Sequence, residues 1–225
     1  MSIFKCTAVL LSWKRLNQIN DLSDYLQTFD FIDEILICNN NPDVAPFRKE
    51  GVTVINNSSD LGLWTRFTTA MLAKNEAILL HDDDLLVDHK CMSHMWESFA
   101  KIPTTNHGLF GRRFPAPDHT YNMRDYLGKC DALLTRCVFT SKTRCHKALG
   151  FTHAFDRELG GSPRGNGEDI LLSYTGQNIS YTPIRQEMGG GDDNAIHRRP
   201  GHKEHRTNVI RWCIKNLRDT YVEPT

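Results

Sequence analysis

A chain of 225 residues, set against a soft prior of roughly 150 per domain, describes one large domain or one domain with an appendage. Hydrophobic residues at 40% and charged residues at 24% are ordinary globular usage, so the chain can bury a stable core without staples, which excludes a disulfide scaffold, a fibre and a disordered tail. Lys plus Arg number 27 and Asp plus Glu number 27, so the overall balance draws the chain onto neither nucleic acid nor an anionic membrane.

Cys6 to Leu11 is a continuous apolar run bounded by polar residues, the pattern of a buried strand. It is too short and too strand-like for a signal peptide, and no stretch reaches the ~20 apolar residues of a membrane span. Leu16, Ile19, Leu22, Leu26 and Phe29 then recur at helical spacing. Glu34 to Cys38 reads as a second strand, stopped by Asn39, Asn40, Asn41 and Pro42, residues that favour turns. Val52 to Ile55 is a third strand, followed by a helix with Trp64, Phe67 and Met71 inward and Ser58, Ser59 or Asp60 as its cap. Ala77 to Leu80 is a fourth, and a helix from about Asp88 to Ala100 turns Met92, Met95, Trp96 and Phe99 to the core.

Beyond Pro103 the texture changes to mixed Pro, Gly, Arg and aromatic residues, with only Gly108 to Gly111 sheet-like. Ala132 to Thr140 reads as a strand, Gly167 to Tyr174 as a short helix entered through a glycine-rich loop, and His202 to Leu217 as a final amphipathic helix. Strands alternating with helices at these lengths predict an α/β fold with a mostly parallel sheet covered on both faces, binding its ligand at the carboxyl ends of the strands. The seven Cys form no CxxC pair, and Cys130, Cys137 and Cys145 lack the spacing of a zinc knuckle. They read as reduced thiols, which with the absence of a leader or span predicts a cytoplasmic protein.

The most specific local signal is Asp82, Asp83 and Asp84 at the end of a buried strand, with apolar residues on both sides. Three adjacent carboxylates repel unless something compensates them, and a divalent cation with hard oxygen ligands, Mg2+ or Mn2+, is the natural choice. A period of two turns Asp82 and Asp84 to one side and Asp83 to the other. The competing reading is an acidic loop that caps the following helix.

This arrangement resembles the Asp-x-Asp motif of metal-dependent glycosyltransferases of the GT-A fold, which use nucleotide-sugar donors. The first strand followed by Ser12, Trp13, Lys14 and Arg15 looks like their donor-binding turn. The strand ending in Asn39 and Asn40, Arg66 sixteen residues before Asp82, the segment Leu134 to Lys142, and Glu168-Asp169 resemble further elements in the same order. The set is most similar to the exostosin-like branch, over roughly Thr7 to Leu172.

The resemblance implies a single GT-A domain over 1–225, with residues 1–100 binding the nucleotide-sugar and 101–225 forming the acceptor-side half. It implies that Asp84 binds the metal, Mn2+ or Mg2+, and that Asp82 contacts ribose or sugar, with Asp83 beside them. Trp13 becomes a wall for the nucleobase, Asn40 a donor or acceptor to it, Arg66 a partner for phosphate or ribose, and Ser12 and Arg15 further parts of the donor site. Each has a plain alternative: a packed aromatic, a turn residue, solvated helix charges. Where relatives carry a polar, basic stretch before Arg66, this chain has Asp60, Leu61, Gly62, Leu63 and Trp64.

Gly161, Gly165 and Gly167 let a loop approach a ligand before Glu168 and Asp169 open a helix. Asp169 is the first candidate for the catalytic carboxylate and Glu168 the second, the alternative being a helix cap. Several GT-A enzymes complete their metal site with a C-terminal His. Here His202 is the first choice and His197 the second, His205 reads as solvated, and Gly189 to Asp193 as a loop that orders over donor.

The expected activity is transfer of a sugar from a nucleoside diphosphate, UDP above others, to a carbohydrate hydroxyl, with retention favoured over inversion. Two alternatives remain. A sugar nucleotidyltransferase would carry a Gly-rich basic loop after the first strand, and this chain has no Gly there. A catalytically silent nucleotide-sugar or glycan binding module would not need Asp82, Asp84 and Asp169 together.

Overall fold

The computed structural model describes residues 4–44, 48–160, 164–188 and 198–217. Strand β1 (Cys6–Ser12) lies between β2 (Ile32–Asn39) and β4 (Ala77–His81), both parallel to it, with Ala8 opposite Ile35 and Leu79. Neighbours on both edges and helices on both faces explain why its sequence is continuously apolar rather than alternating. β3 (Thr53–Asn56) extends the parallel set, so this half matches the sequence reading to within a residue or two.

Beyond β4 the sheet becomes mixed. β10 (Cys137–Ser141) pairs antiparallel with β4 and with β6 (Thr105–Gly108). β11 (Gln177–Ser180) runs parallel to β6, and β8 (Gly128–Cys130) closes that edge antiparallel. The eight-stranded order is β3-β2-β1-β4-β10-β6-β11-β8. Two small ribbons accompany it: β5 (Leu85–Val87) with β12 (Arg185–Glu187), and β7 (Gly111–Arg112) with β9 (Ala132–Leu133).

The pleat sorts the core into two layers. Ala8, Leu10 and Leu79 face α1 (Leu16–Leu26) and α3 (His89–Lys101), whose Met92, Met95 and Phe99 are fully buried. Val9, Ile78 and Leu80 face the other way, onto α2 (Thr65–Ala70), α4 (Lys142–Glu158), α5 (Glu168–Ser173) and α6 (His202–Asn216). All seven cysteines are free and buried. No helix among the described residues is long and apolar enough to cross a membrane.

Three differences from the sequence reading have physical causes. The run Ala132 to Thr140 is two strands separated by a turn at 134–136, which aims Thr135 and Arg136 away from the core. The seventeen-residue α4 shows no sequence stripe because its inward face includes Arg144, whose guanidinium donates to the carbonyls of Thr104 and Gln177. The strand β11 is polar, and a hydrogen-bonded ladder rather than apolar burial seats it. Asn106 Nδ2 donates to Asn178 Oδ1 at 2.9 Å, and Thr140 Oγ1 donates to Asn106 Oδ1 at 2.7 Å.

Asn178 also donates from Nδ2 towards the carbonyls of Asp131 and Ser173, both at 3.1 Å. Asn178→Ala removes a donor from both carbonyls and takes the acceptor from the Asn106 amide. It should lower unfolding free energy by about 2–4 kcal/mol, read from the urea midpoint at unchanged m-value.

Candidate active site

The carboxyl ends of the parallel strands turn polar together: Ser12, Asn39, Asn56 and His81 sit at or near their last positions. Here β4 stops. The Asp82 amide still donates to Arg136 O at 3.0 Å, and the chain then turns through Asp83 and Asp84 into β5. Because the triplet lies in a turn, the period of two does not govern it, and all three aspartates line one cleft of about 860 Å3. The triplet is not the helix cap. Asp88 caps α3, accepting from the Lys90 and Cys91 amides.

Each aspartate meets its own guanidinium. Arg66 Nη1 is 3.1 Å from Asp82, Arg15 Nη1 is 2.7 Å from Asp83, and Arg136 Nη2 is 3.0 Å from Asp84. The series continues outward: Arg15 is also 3.5 Å from the other oxygen of Asp84, and Arg136 is 2.6 Å from Glu187, which holds Arg185 at 2.9 Å. Arg15 offsets only part of what burial does to Asp83, whose carboxyl is pushed up to about 6.

The opposite wall is built from α5 and α6. Gly167, with φ of 108°, ends the loop so that Glu168 and Asp169 open α5. Glu168 accepts from Thr135 Oγ1 at 2.9 Å, and its carboxylate lies 3.5 Å from Arg66 Nε. Burial raises its pKa to about 7, which Arg66 partly opposes. Asp169 accepts from the Ile170 amide at 2.9 Å through one oxygen and from Arg206 Nη2 at 2.5 Å through the other. The Arg206 guanidinium also stands 4.6 Å over the Tyr121 ring. Arg66 therefore bridges the acidic triplet and the Glu168 wall.

The segment Asp60 to Trp64 closes the rear of the cleft against the glycine-rich loop. The Leu63 amide donates to Arg164 O at 2.8 Å, and a Cβ on Gly62, whose φ is +82°, would stand 2.4 Å from that same oxygen. Asn40 is spent on this closure. Its Nδ2 donates to Gly62 O and Thr65 Oγ1, and its Oδ1 accepts from Asn57, so it shapes the wall with no amide hydrogen left for a base. Ser12 is fully buried and does not line the cleft; its carbonyl accepts from the Asn40 amide at 2.8 Å. Trp13 does line it, half-buried, with the Lys14 ammonium 4.1 Å from its ring centroid.

His202 opens α6 beneath the αL residue Gly201, lines the cleft and meets the Tyr121 ring edge-on at 5.9 Å. His205 is not a solvated helix residue: its Nε2 donates to Asn166 O at 2.8 Å, tying α6 to the glycine-rich loop. His197 and Gly189 to Asp193 lie outside the described residues. Among the described residues no three His, Cys, Asp or Glu side chains form a ready metal cage. The donor chemistry nonetheless fits Mg2+ or Mn2+, since Asp82 and Asp84 are 29% and 30% exposed hard-oxygen donors facing one cleft. Such ions take one or two carboxylates and complete their shell with water and phosphate.

Sequence reasoning missed Thr135, Arg136, Tyr121 and Arg206. Arg206 left a trace, because it lies four residues before Ile210 on the stripe that continues to Cys213 and Leu217, a charge on the inward face. Arg136 lies inside the Leu134 to Lys142 segment, but the break between β9 and β10 that turns it to the cleft is not readable there.

No family model and no curated protein matches the sequence. Among solved structures the chain is similar to a mannosyltransferase, PcManGT of Pyrobaculum calidifontis, in complex with GDP-Man and Mn2+. The TM-score is 0.54 at 12% identity, over 96% of this chain and 73% of that one. The likeness shows the fold, a GT-A-like α/β domain.

A carboxyl whose pKa rises on folding holds its proton where the unfolded chain has lost it. Glu168 thus costs stability as pH rises from about 4.5 to about 7, and no further above that. Glu168→Gln mimics the protonated form. Urea unfolding should show the variant gaining on the parent between pH 4.5 and pH 7 and keeping that gain at pH 8.

Proposed function

We propose that this cleft transfers a sugar from a nucleoside diphosphate to a carbohydrate hydroxyl. The observation that carries the reading is that the Asp82 to Asp84 turn and the Glu168-Asp169 pair face one cleft, joined by the buried Arg66. A diphosphate-binding end and a carboxylate end within one site are what glycosyl transfer requires. The similar mannosyltransferase, which carries GDP-Man and Mn2+, supports the class of donor. The motif order that resembles the exostosin-like branch favours retention.

Asp84 and His202 would hold a divalent cation, Mn2+ or Mg2+, which when bound supplies Lewis-acid stabilisation to the departing diphosphate. Trp13 offers a face for the nucleobase, and Asp82 and Asp83 complete the donor wall. The two carboxylates opposite divide the remaining work. Asp169, with both oxygens already bonded, suits a fixed negative charge beside the sugar as positive charge develops there. Glu168, whose pKa burial raises to about 7, suits orienting the acceptor hydroxyl, and would take its proton only if the reaction inverts. Arg66 orients Glu168 and Asp82 together.

A screen of UDP- and GDP-sugars with Mn2+, reading slow donor hydrolysis, needs no acceptor and identifies nucleotide and sugar together. Asp84→Asn should abolish Mn2+-dependent diphosphate binding by calorimetry while the melting temperature without metal falls modestly, because Arg136 and Arg15 lose a carboxylate partner. Asp169→Asn should leave donor affinity nearly unchanged and lower transfer by about 10²-fold or more. Donor binding without hydrolysis or transfer in the parent chain would instead establish a binding module.

A further inference from the structure

Asp84 is gripped from both sides. Arg136 Nη2 stands 3.0 Å from one oxygen and Arg15 Nη1 3.5 Å from the other, while Arg136 also reaches Glu187 at 2.6 Å. Glu187 is held in register, since β12 pairs with β5 and the Met188 amide donates to Asp84 O at 2.9 Å. The Arg136 guanidinium lies 4.8 Å over the Phe110 ring and is 25% exposed to the cleft. It is therefore a cation at the surface of the site, fixed in place by two carboxylates and an aromatic face.

We propose that Arg136 is a ligand of the donor's diphosphate, held in reserve by Asp84 and Glu187, so that divalent cation and nucleotide enter the site as a coupled pair. The inference rests on the glycosyltransferase reading and adds to it a residue and an order of events. A cation on Asp84 stands against two guanidinium charges, at 3.0 and 3.5 Å from its oxygens, and so binds better once Arg136 turns to another anion. Once Asp84 lets go, Arg136 is left with half-exposed Glu187 as its anion, and a partly buried guanidinium that loses a partner is costly. A diphosphate supplies the missing charge and accepts from the planar fork of the guanidinium, which matches phosphate oxygens well. Neither ligand alone relieves both sides of the exchange. By linkage, each must then raise the other's affinity by the same factor.

The test is Mn2+ binding, read by electron paramagnetic resonance of the free ion, with and without UDP or GDP. In the parent chain saturating nucleotide should tighten Mn2+ by about tenfold or more, within the usual range for coupled sites. Arg136→Met should bind Mn2+ alone more tightly than the parent, because Asp84 has lost a competitor, and the nucleotide enhancement should fall to about twofold. Glu187→Gln should tighten nucleotide binding without metal, because Arg136 has lost one of its anions. Circular dichroism checks folding. If Arg136→Met does not fold, Arg136→Lys and Glu187→Gln carry the test, the former keeping the charge but losing the fork and part of the coupling.

An unchanged enhancement in a folded Arg136 variant, with the parent binding both ligands, overturns this inference and leaves the proposed function standing. A parent chain that binds neither Mn2+ nor any nucleoside diphosphate overturns both.

Discussion

Carboxylates gathered at the ends of buried strands must be neutralised, and the architecture around the cleft answers that demand. Asp82, Asp83, Asp84, Glu168 and Asp169 cannot share one partly buried space as bare charges. Arg15 comes from the turn after β1, Arg66 from α2, Arg136 from the break between β9 and β10, and Arg206 from α6. Four separate segments thus reach one site because each brings a charge the others need.

Such a network is a poor source of stability, since desolvation offsets much of the attraction between buried ions. Its value lies in geometry. Arg66, held by Asp82 and Glu168, sets the distance between the two walls of the cleft. The apolar layers behind supply the stability: β1 and β4 are buried on both faces, and α1 and α3 pack on one side while α2, α4, α5 and α6 pack on the other. The rear wall has its own constraint. The Asp60 to Trp64 segment approaches the glycine-rich loop so closely that Gly62 leaves no room for a side chain, and Asn40, just past β2, secures Gly62 and Thr65. Where the sequence departs from the pattern it otherwise resembles, the chain has built a contact.

The two ends of the site differ in the freedom of their charges. Asp169 and Arg206 are nearly sealed from solvent and locked to Ile170 and Tyr121, so that pair is a fixed feature of the wall. Arg15, Arg136, Asp82 and Asp84 are each a quarter to a third exposed and can exchange partners without opening the core. A rigid carboxylate end and an end of exchangeable charges suit the proposed transfer, in which one substrate departs as an anion while the other is held still.

The sequence by itself determined the parallel half of the sheet, since strands covered on both faces must be continuously apolar, and Cys6 to Leu11 and Ala77 to Leu80 are. It also singled out Asp82 to Asp84 and Glu168-Asp169, because carboxylates beside apolar runs violate the local pattern, and the fold brings both to one cleft. Only the tertiary structure decided the rest. A polar strand such as β11 is seated by amide and hydroxyl pairing with residues seventy positions away, and α4 hides behind an inward Arg144, so neither has a hydrophobic period to read. The partners of the aspartates are likewise set by which turns the fold brings together. Asn40 is bonded to the rear wall, Ser12 lies behind the cleft, and Arg136 and Arg206 line it, because such placement depends on distance in space and not on spacing along the chain.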